Sequence, residues 1–231
     1  MAPSPISAVA VDLDDTLYPE SDFVFGGYRT VSEVVEGHYG ISIFAALCAR
    51  FMAGERGDLF TPTLRDLGCY EGESQVVELV QVYRTHAPLL RPFPDVVPAL
   101  YEMRRRVGMG LISDGMAAVQ HRKLQALALA HYFAAVVITD ERGREYWKPH
   151  PWGYRECARL LGCPPAEMAY IGDNPAKDFH AARALGMFTI RVRRTGTLYG
   201  DIDPQPGHEA HVEVSDFAEA VSTALLKSGA G

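Results

Sequence analysis

Three carboxylates follow the first apolar run of the chain, in the segment AVAVDLDDTLYPE at residues 8–20. Asp12 and Asp14 are two residues apart, so on an extended strand their side chains point the same way and converge. Converging carboxylates repel each other unless they bind a cation or share a proton. Asp is also common in loops, so the segment alone leaves a metal site and an ordinary acidic turn as alternatives.

Polar groups also lie past the ends of three later apolar runs. Ser113 and Asp114 follow one run in LISDG, Lys148 follows another in WKP, and Asp173 follows the last in YIGDNPAKD. Asp178 lies about one helical turn beyond Asp173, so both can face one pocket. Each group alone has an ordinary alternative as a turn, solvated or helix-capping residue. Their order at successive strand ends favours one shared site.

Strand-like and helix-like patterns alternate along most of the chain. The strands and helices that they predict would position these polar residues. Apolar, β-branched runs predict strands at residues 7–13, 108–113, 134–139, 167–172 and 188–192, with a last strand and helix in 210–226. Helical spacing is present in 95–106, 117–130, 153–162 and 176–186. The alternation predicts an α/β fold, a Rossmann-like parallel sheet core with helices on both faces. Ligands bind at the carboxyl ends of the strands in such sheets.

One region of the chain lacks strand patterns. Residues 21–90 hold only helical candidates, at 28–40, 42–55, 59–68 and 73–86, which predicts a helical bundle inserted after the first strand. The prolines of PLLRPFPDV indicate a stiff return into the core. The expected organisation is a core of residues 1–20 and 91–231 with an inserted helical domain of residues 21–90.

Composition and charge narrow the classes of partner. The formal net charge of the 231 residues is -7, so no general attraction to nucleic acid or anionic lipid is expected, and a small molecule is the better partner. The four cysteines form no CxxC pair, which favours reduced thiols over a disulfide framework or a zinc site. The chain starts without a basic signal-peptide region, and its most apolar stretch, 124–139, is short for a membrane span. We therefore expect a cytoplasmic protein.

The ordered motifs DLDDT, ISD, KP and GDNPAKD resemble those of the haloacid dehalogenase superfamily. The resemblance extends over nearly the whole chain, because the inserted helical region is similar to the cap domain that these enzymes have after the first motif. It implies a Mg2+-dependent phosphatase that hydrolyses a small phosphomonoester through an aspartyl-phosphate intermediate. Sugar phosphates, small organic phosphates and nucleoside monophosphates are all compatible substrates, and neither nucleic acid nor a membrane is an expected partner.

The resemblance implies chemical roles for the residues of the first and last motifs. Asp12 would be the nucleophile, and Asp14 would protonate the leaving oxygen and later activate water. Mg2+ would bind to the carboxylates of Asp12 and Asp173 and to the main-chain carbonyl of Asp14, because it is a hard cation that prefers oxygen ligands. Asp178 would hold Lys148 or a metal-bound water.

The residues of the two middle motifs are expected to bind the phosphoryl group. Ser113 would donate to a phosphate oxygen, with Asp114 in the same phosphate-binding loop. Lys148 would neutralise charge on the phosphoryl group and restrain the nucleophile. Asp15, beside the proposed acid, is expected to have a backbone or solvated role and no part in the chemistry.

Two alternatives use the same kinds of residue. A phosphomutase or phosphotransferase of the same family would differ only in keeping water away from the aspartyl-phosphate. A non-catalytic receiver domain also gathers acidic residues, a Lys and Mg2+ at strand ends, but it is about half this length and has no helical insert. The dehalogenase branch of the family does not keep an acid two residues after the nucleophile, so Asp14 favours a phosphatase.

Overall fold

The computed structural model describes residues 5–228, and the chain divides into two compact units. One unit extends to Glu20 and resumes at Leu90, and the other, Ser21–Leu89, is inserted within it. We call them the core unit and the inserted unit. Residues 1–4 and 229–231, which belong to the core predicted from the sequence, lie outside the described residues.

A six-stranded parallel sheet forms the centre of the core unit. Its strands are β1 (Ala8–Val11), β2 (Gly108–Ser113), β3 (Ala135–Ile138), β4 (Met168–Gly172), β5 (Phe188–Val192) and β6 (Val212–Val214). Their order is β3-β2-β1-β4-β5-β6, so the chain builds outward from β1 to one edge and then crosses to the other side of β1. In open sheets, the crevice for a ligand lies at this reversal, outside the carboxyl ends of the strands.

The central strand β1 is buried on both faces. Val9 and Val11 alternate with Ala8 and Ala10, and all of them are at most 2% exposed, which is typical of a parallel strand with helices on both sides. The register places Val11, the last residue of β1, level with Leu111 of β2 and Ile171 of β4, within two residues of where those strands end. The polar residues that follow these strands are therefore brought to one edge of the sheet.

Helices build the inserted unit. They are α1 (Glu20–Tyr39), whose first residue still belongs to the core unit, α2 (Phe44–Met52), α3 (Phe60–Asp66) and α4 (Glu73–Thr85). The sequence pattern predicted the first of these helices only over residues 28–40, so the structure extends it to include Gly26 and Gly27. In the structure α1 continues through both glycines, and a Cβ on Gly27 would lie 2.4 Å from the ring of Tyr83 on α4. These glycines allow close packing of two helices.

The helices of the core unit cover the sheet. They are α5 (Val96–Arg104), α6 (Ala117–Leu127), α7 (Trp152–Leu161), α8 (Phe179–Ala184) and α9 (Phe217–Leu226). α7 and α8 pack on the sheet through a cluster that includes Ala10, Tyr154, Tyr170 and Phe179. α5 and α9 pack against each other and against β2 and β5. The predicted parallel α/β core is thus confirmed. Within residues 5–228, no helix is both long and apolar enough to cross a membrane.

Candidate active site

Three aspartates predicted from the motifs meet at the carboxyl ends of β1 and β4. The main-chain N–H of Asp12 donates to the carbonyl of Ile171 at 2.9 Å, so the pairing of β1 with β4 continues one residue past the end of β1. Asp173 directly follows β4. Carboxylate oxygens of Asp12, Asp173 and Asp178 all lie within 4.8 Å of one another, and all three residues are buried. Such a cluster requires positive charge nearby.

Lys148 supplies one positive charge to this cluster. Its Nζ donates to Oδ1 of Asp12 at 2.5 Å, to Oδ1 of Asp178 at 2.8 Å and to the hydroxyl of Tyr170 at 2.9 Å. Although burial alone would lower it, the carboxylates of Asp12 and Asp178 hold the pKa of Lys148 well above its ordinary value. An ammonium group has three N–H donors, and all of them are used here. A bond from Lys148 to phosphate would require it to release one of these acceptors.

Asp178 also accepts a hydrogen bond from Lys148, which is one of the two roles that its motif implies. Its Oδ2 accepts the main-chain N–H of Asn174 at 2.9 Å. Gly172 makes this arrangement possible, because a Cβ at that position would lie only 2.5 Å from Oδ2 of Asp178. Burial raises the pKa of Asp178, but Lys148 and Lys177 outweigh burial and lower that pKa below its ordinary value. Asp178 is therefore an ionised partner for Lys148.

The carboxylates of Asp12 and Asp173 fit a metal ion. Oδ2 of Asp173 is buried and has no hydrogen-bond partner among the described residues. Burial, with the charges of Asp12 and Asp178, raises the pKa of Asp173 well above its ordinary value. Burial likewise raises the pKa of Asp12 to about 7, against the opposing effect of Lys148. A divalent cation would offset the repulsion, and carboxylate oxygens are ligands that Mg2+ prefers, so this donor set suits Mg2+.

Asp14 lies outside this carboxylate cluster, which differs from the convergence predicted from its spacing. β1 ends at Val11, and Asp15 has a φ of 54°, so the alternation of side chains along a strand no longer applies at Asp14. Its carboxylate accepts from the hydroxyl of Tyr18 at 2.5 Å and from Nζ of Lys123 at 2.6 Å. Burial raises the pKa of Asp14, but Lys123 outweighs burial and lowers that pKa below its ordinary value.

Two partners of this site on α6 escaped the sequence analysis. Nε2 of Gln120 donates to Oδ2 of Asp14 at 2.8 Å and to Oγ of Ser113 at 2.6 Å. This bond leaves the hydroxyl hydrogen of Ser113 available to another acceptor. Gln120 and Lys123 lie on the buried face of α6 with Leu124 and Leu127. The sequence signal for this role is that Gln120 and Lys123 occur at the spacing of the apolar residues that form the buried stripe of α6.

The side chain of Asp114 has a positioning role in this structure. Its Oδ1 accepts the hydroxyl of Thr139 at 2.7 Å and the main-chain N–H of Lys148 at 3.1 Å. The carboxylate thus fixes the loop that holds Lys148. Since a carboxylate repels phosphate, the phosphate-binding role expected for Asp114 could only come from its main-chain N–H.

Asp15 is a structural residue of the same loop. It is 2% exposed, so of its two expected roles the solvated one is excluded. Its Oδ1 accepts the main-chain N–H of Glu20 at 2.8 Å, and its Oδ2 accepts that of Leu198 at 3.0 Å. Asp15 therefore ties the start of α1 to the segment that follows β5.

A buried arginine supports Asp173, a carboxylate of the candidate metal site, through the main chain. Nε of Arg191 donates to the carbonyl of Asp173 at 3.1 Å, and its NH2 donates to the carbonyls of Tyr199 and Ile202 at 2.8 and 2.7 Å. NH1 pairs with Glu213 at 3.0 Å. The sequence signal, an arginine inside the apolar strand FTIRV, was present but was not interpreted.

The chain is similar to known proteins in both sequence and fold. A family model described as haloacid dehalogenase-like hydrolase matches residues 6–186. The chain is 34% identical over 210 residues to the glyceraldehyde 3-phosphate phosphatase of Methanopyrus kandleri, covering 87% of this chain and 88% of that protein. It is 32% identical over 157 residues to the phosphoserine phosphatase of Thermus thermophilus, covering 67% of this chain and 59% of that protein. The crystal structure of a HAD phosphatase from Thermococcus onnurineus has the same fold, with a TM-score of 0.63 and 22% identity over 94% of this chain and 97% of that one.

Proposed function

The chain belongs to the haloacid dehalogenase-like hydrolase family, as its motifs predicted, and on this premise we propose that it is a Mg2+-dependent phosphatase with Asp12 as nucleophile. Relatives named as phosphatases support a hydrolase that acts on phosphate esters. The observation that carries the proposal is the position of Asp12 at the end of the central strand, 2.5 Å from Nζ of Lys148 and clustered with Asp173.

The proposed reaction has two steps on Asp12. In the first, a carboxylate oxygen of Asp12 bonds to phosphorus while the bond from phosphorus to the leaving oxygen breaks, and the leaving oxygen takes a proton from Asp14. In the second, water attacks phosphorus, its proton passes to Asp14, and inorganic phosphate leaves as Asp12 is regenerated. Mg2+, bound by Asp12, Asp173 and the main-chain carbonyl of Asp14, would stabilise negative charge on the phosphoryl group.

Asp14 is arranged in this structure for the second step. Lys123, Tyr18 and Gln120 stabilise its ionised form, which is the form that accepts a proton from water. For the first step Asp14 must take up a proton, which requires at least one of these donors to move away. We therefore propose that the structure represents the state in which Asp14 acts as a base.

We propose a small phosphorylated metabolite as the substrate. The relatives named above act on glyceraldehyde 3-phosphate and phosphoserine, so short-chain phosphates should be tested first. Sugar phosphates and nucleoside monophosphates complete the panel. We propose neither nucleic acid nor a membrane as a partner, because the chain has a mild net negative charge. We expect the enzyme to be cytoplasmic.

Hydrolysis of p-nitrophenyl phosphate, with Mg2+ and after its removal by a chelator, tests the proposal. The wild type should release p-nitrophenol only with the metal, and Asp12→Asn should abolish turnover without changing the circular dichroism spectrum. Asp201→Asn is a matched control, because Asp201 is exposed and lies outside the site. If Asp12→Asn retains the wild-type rate, Asp12 is not the nucleophile.

A further inference from the structure

A cleft of about 420 Å³ lies at the edge of the sheet opposite the carboxylate cluster, and its volume is typical of a small-molecule site. The amino ends of the strands form its walls. Ile6 lies before β1, Ala166 lies before β4, and Phe188 is the first residue of β5. Since Asp12 follows the other end of β1, the length of that strand separates the cleft from the proposed active site. We call it the amino-edge cleft.

The amino-edge cleft has an apolar lining with two basic side chains. Ile6 and Met187 are buried, and Phe188 is half-buried. The basic residues, His211 and Lys227, are exposed. None of the lining residues that the structure describes is acidic, although the chain as a whole has a net charge of -7. The cleft therefore combines apolar surface with local positive charge on an otherwise acidic protein.

The hydrogen bonds of His211 fix which of its ring nitrogens carries the proton. The main-chain N–H of Thr189 donates to Nδ1 of His211 at 3.1 Å, and an N–H group can only donate. Burial, together with the positive charges of Arg183 and Lys227, lowers the pKa of His211 below its ordinary value, so the ring is neutral near neutral pH. A neutral ring that accepts at Nδ1 carries its hydrogen on Nε2. His211 therefore presents an N–H donor on the side of its ring away from Thr189, and not a lone pair for a metal ion.

Lys227 is the second donor at the cleft. Its carbonyl accepts the main-chain N–H of Ile6 at 3.1 Å, which ties the end of α9 to the start of β1. Its Nζ lies 4.4 Å from the centroid of the Phe188 ring, and the centroid of the His211 ring lies 5.4 Å from the same point. No carboxylate within residues 5–228 forms an ion pair with this ammonium. Two donors thus lie beside one aromatic side chain of the apolar lining.

The cleft offers one positive charge to a ligand. Arg183, the other cation near His211, pairs with Oε2 of Glu209 at 3.5 Å and donates to the carbonyl of the same residue at 2.8 Å. The neutral ring of His211 adds a donor without adding charge. One ammonium with a neutral donor balances a monoanion, whereas a phosphate dianion would leave a charge unbalanced. A carboxylate suits this arrangement, because its two oxygens can accept from two separate donors.

We propose that the amino-edge cleft binds a small organic monocarboxylate. The carboxylate accepts hydrogen bonds from Nζ of Lys227 and Nε2 of His211. The apolar part of the ligand lies against Ile6, Met187 and Phe188. Burial of that part supplies affinity, and the charge selects an anion over a neutral molecule. The site is independent of the proposed phosphatase function, because none of its residues belongs to the proposed catalytic machinery.

Nuclear magnetic resonance of the full chain, labelled at the methyl groups of methionine and isoleucine, tests this site with benzoate as the probe. The methyl signals of Met187 and Ile6 should shift during the titration and give the Kd. Lys227→Met should raise the Kd at least about tenfold, because it removes the charged donor and keeps the apolar stem. Lys227→Arg should recover most of the affinity. Arg106→Met is the matched control, since it removes a positive charge from an exposed residue just past α5, outside the cleft, and it should leave the Kd unchanged.

Two further comparisons separate the contributions of charge and of His211. Benzamide has nearly the shape of benzoate without its charge, so it should bind at least about tenfold more weakly. His211→Asn keeps an acceptor for the main-chain N–H of Thr189 but loses the donor at Nε2, so it should raise the Kd for benzoate about threefold or more. Lys227→Met should leave the unfolding temperature unchanged, because Lys227 is exposed at the end of its helix.

Several outcomes would overturn the proposal. One is that the Met187 and Ile6 signals do not move at about 10 mM benzoate. Another is that wild type and Lys227→Met have the same Kd, or that benzoate and benzamide bind equally well. Binding of benzoate to a variant that ends at Ser228, but not to the full chain, would show that the end of the chain itself occupies the cleft, and it would equally reject a monocarboxylate site.

Discussion

Each carboxylate at the end of β1 has its own chemical environment, although the sequence places them side by side. Asp12 pairs with Lys148, and Asp14 pairs with Lys123. Among residues 5–228, the donors to the carboxylate of Asp15 are the main-chain N–H groups of Glu20 and Leu198. Distinct partners allow neighbouring carboxylates to serve as the proposed nucleophile, the proposed acid–base group and a structural tie.

The pair formed by Lys123 and Asp14 should contribute measurably to stability. Lys123→Met removes the positive charge beside a largely buried carboxylate, and we expect it to lower the free energy of unfolding by about 2 kcal/mol. Urea unfolding of Lys123→Met, Asp14→Asn and the double variant would give the coupling energy directly. We expect a coupling of about 1 kcal/mol or more, and strictly additive effects would show that the two residues do not stabilise each other.

At the scale of elements, contacts of helix faces account for two differences between sequence and structure: the role of α6 at the site and the start of α1. The buried face of α6 brings Gln120 and Lys123 to the site, although both look like ordinary surface residues in the sequence. α1 continues through Gly26 and Gly27, and the ring of Tyr83 packs where a Cβ of residue 27 would lie. In both cases the partner lies far along the chain, so local spacing could not identify the contact.

The two kinds of glycine in α1 should respond in opposite ways to alanine. Gly27→Ala would place a Cβ 2.4 Å from the Tyr83 ring, so we expect a loss of about 1–3 kcal/mol in the free energy of unfolding. Gly37→Ala, in the same helix, meets no described atom within 4 Å and should stabilise the protein by about 0.5–1 kcal/mol. Urea unfolding of the full chain measures both, and a shift in the same direction for both variants would contradict the packing argument.

At the scale of the whole molecule, the carboxylate cluster links folding to metal binding. The folded core unit brings Asp12, Asp173 and Asp178 together, and Oδ2 of Asp173 has no partner among the described residues. An unpaired buried charge destabilises the folded state. A cation that binds to the cluster in the folded state alone would stabilise that state. Stability should therefore depend on the concentration of the metal.

Thermal unfolding with increasing Mg2+ would measure this link. At about one hundred times its Kd, the metal should stabilise the wild type by about 2.7 kcal/mol. Asp173→Asn should be at least as stable as the wild type without Mg2+, because it removes an unpaired buried charge, and it should respond much less to the metal. Asp201→Asn serves as the control, and Mg2+ should raise its unfolding temperature as much as that of the wild type. An equal response to Mg2+ in Asp173→Asn would place the metal elsewhere.

The sequence by itself determined the family, the parallel α/β core and the positions of the polar residues at the strand ends. These features follow from local apolar spacing and short motifs, which can be recognised in the sequence without knowing which distant residues are in contact. Only the tertiary structure decided which partner each charge has. Lys123 meets Asp14 across 109 residues, and Lys148 meets Asp12 across 136. Hydrogen-bond capacity is shared among residues that only folding brings together, which is why the three hydrogen-bond partners of Lys148 could not be predicted from spacing.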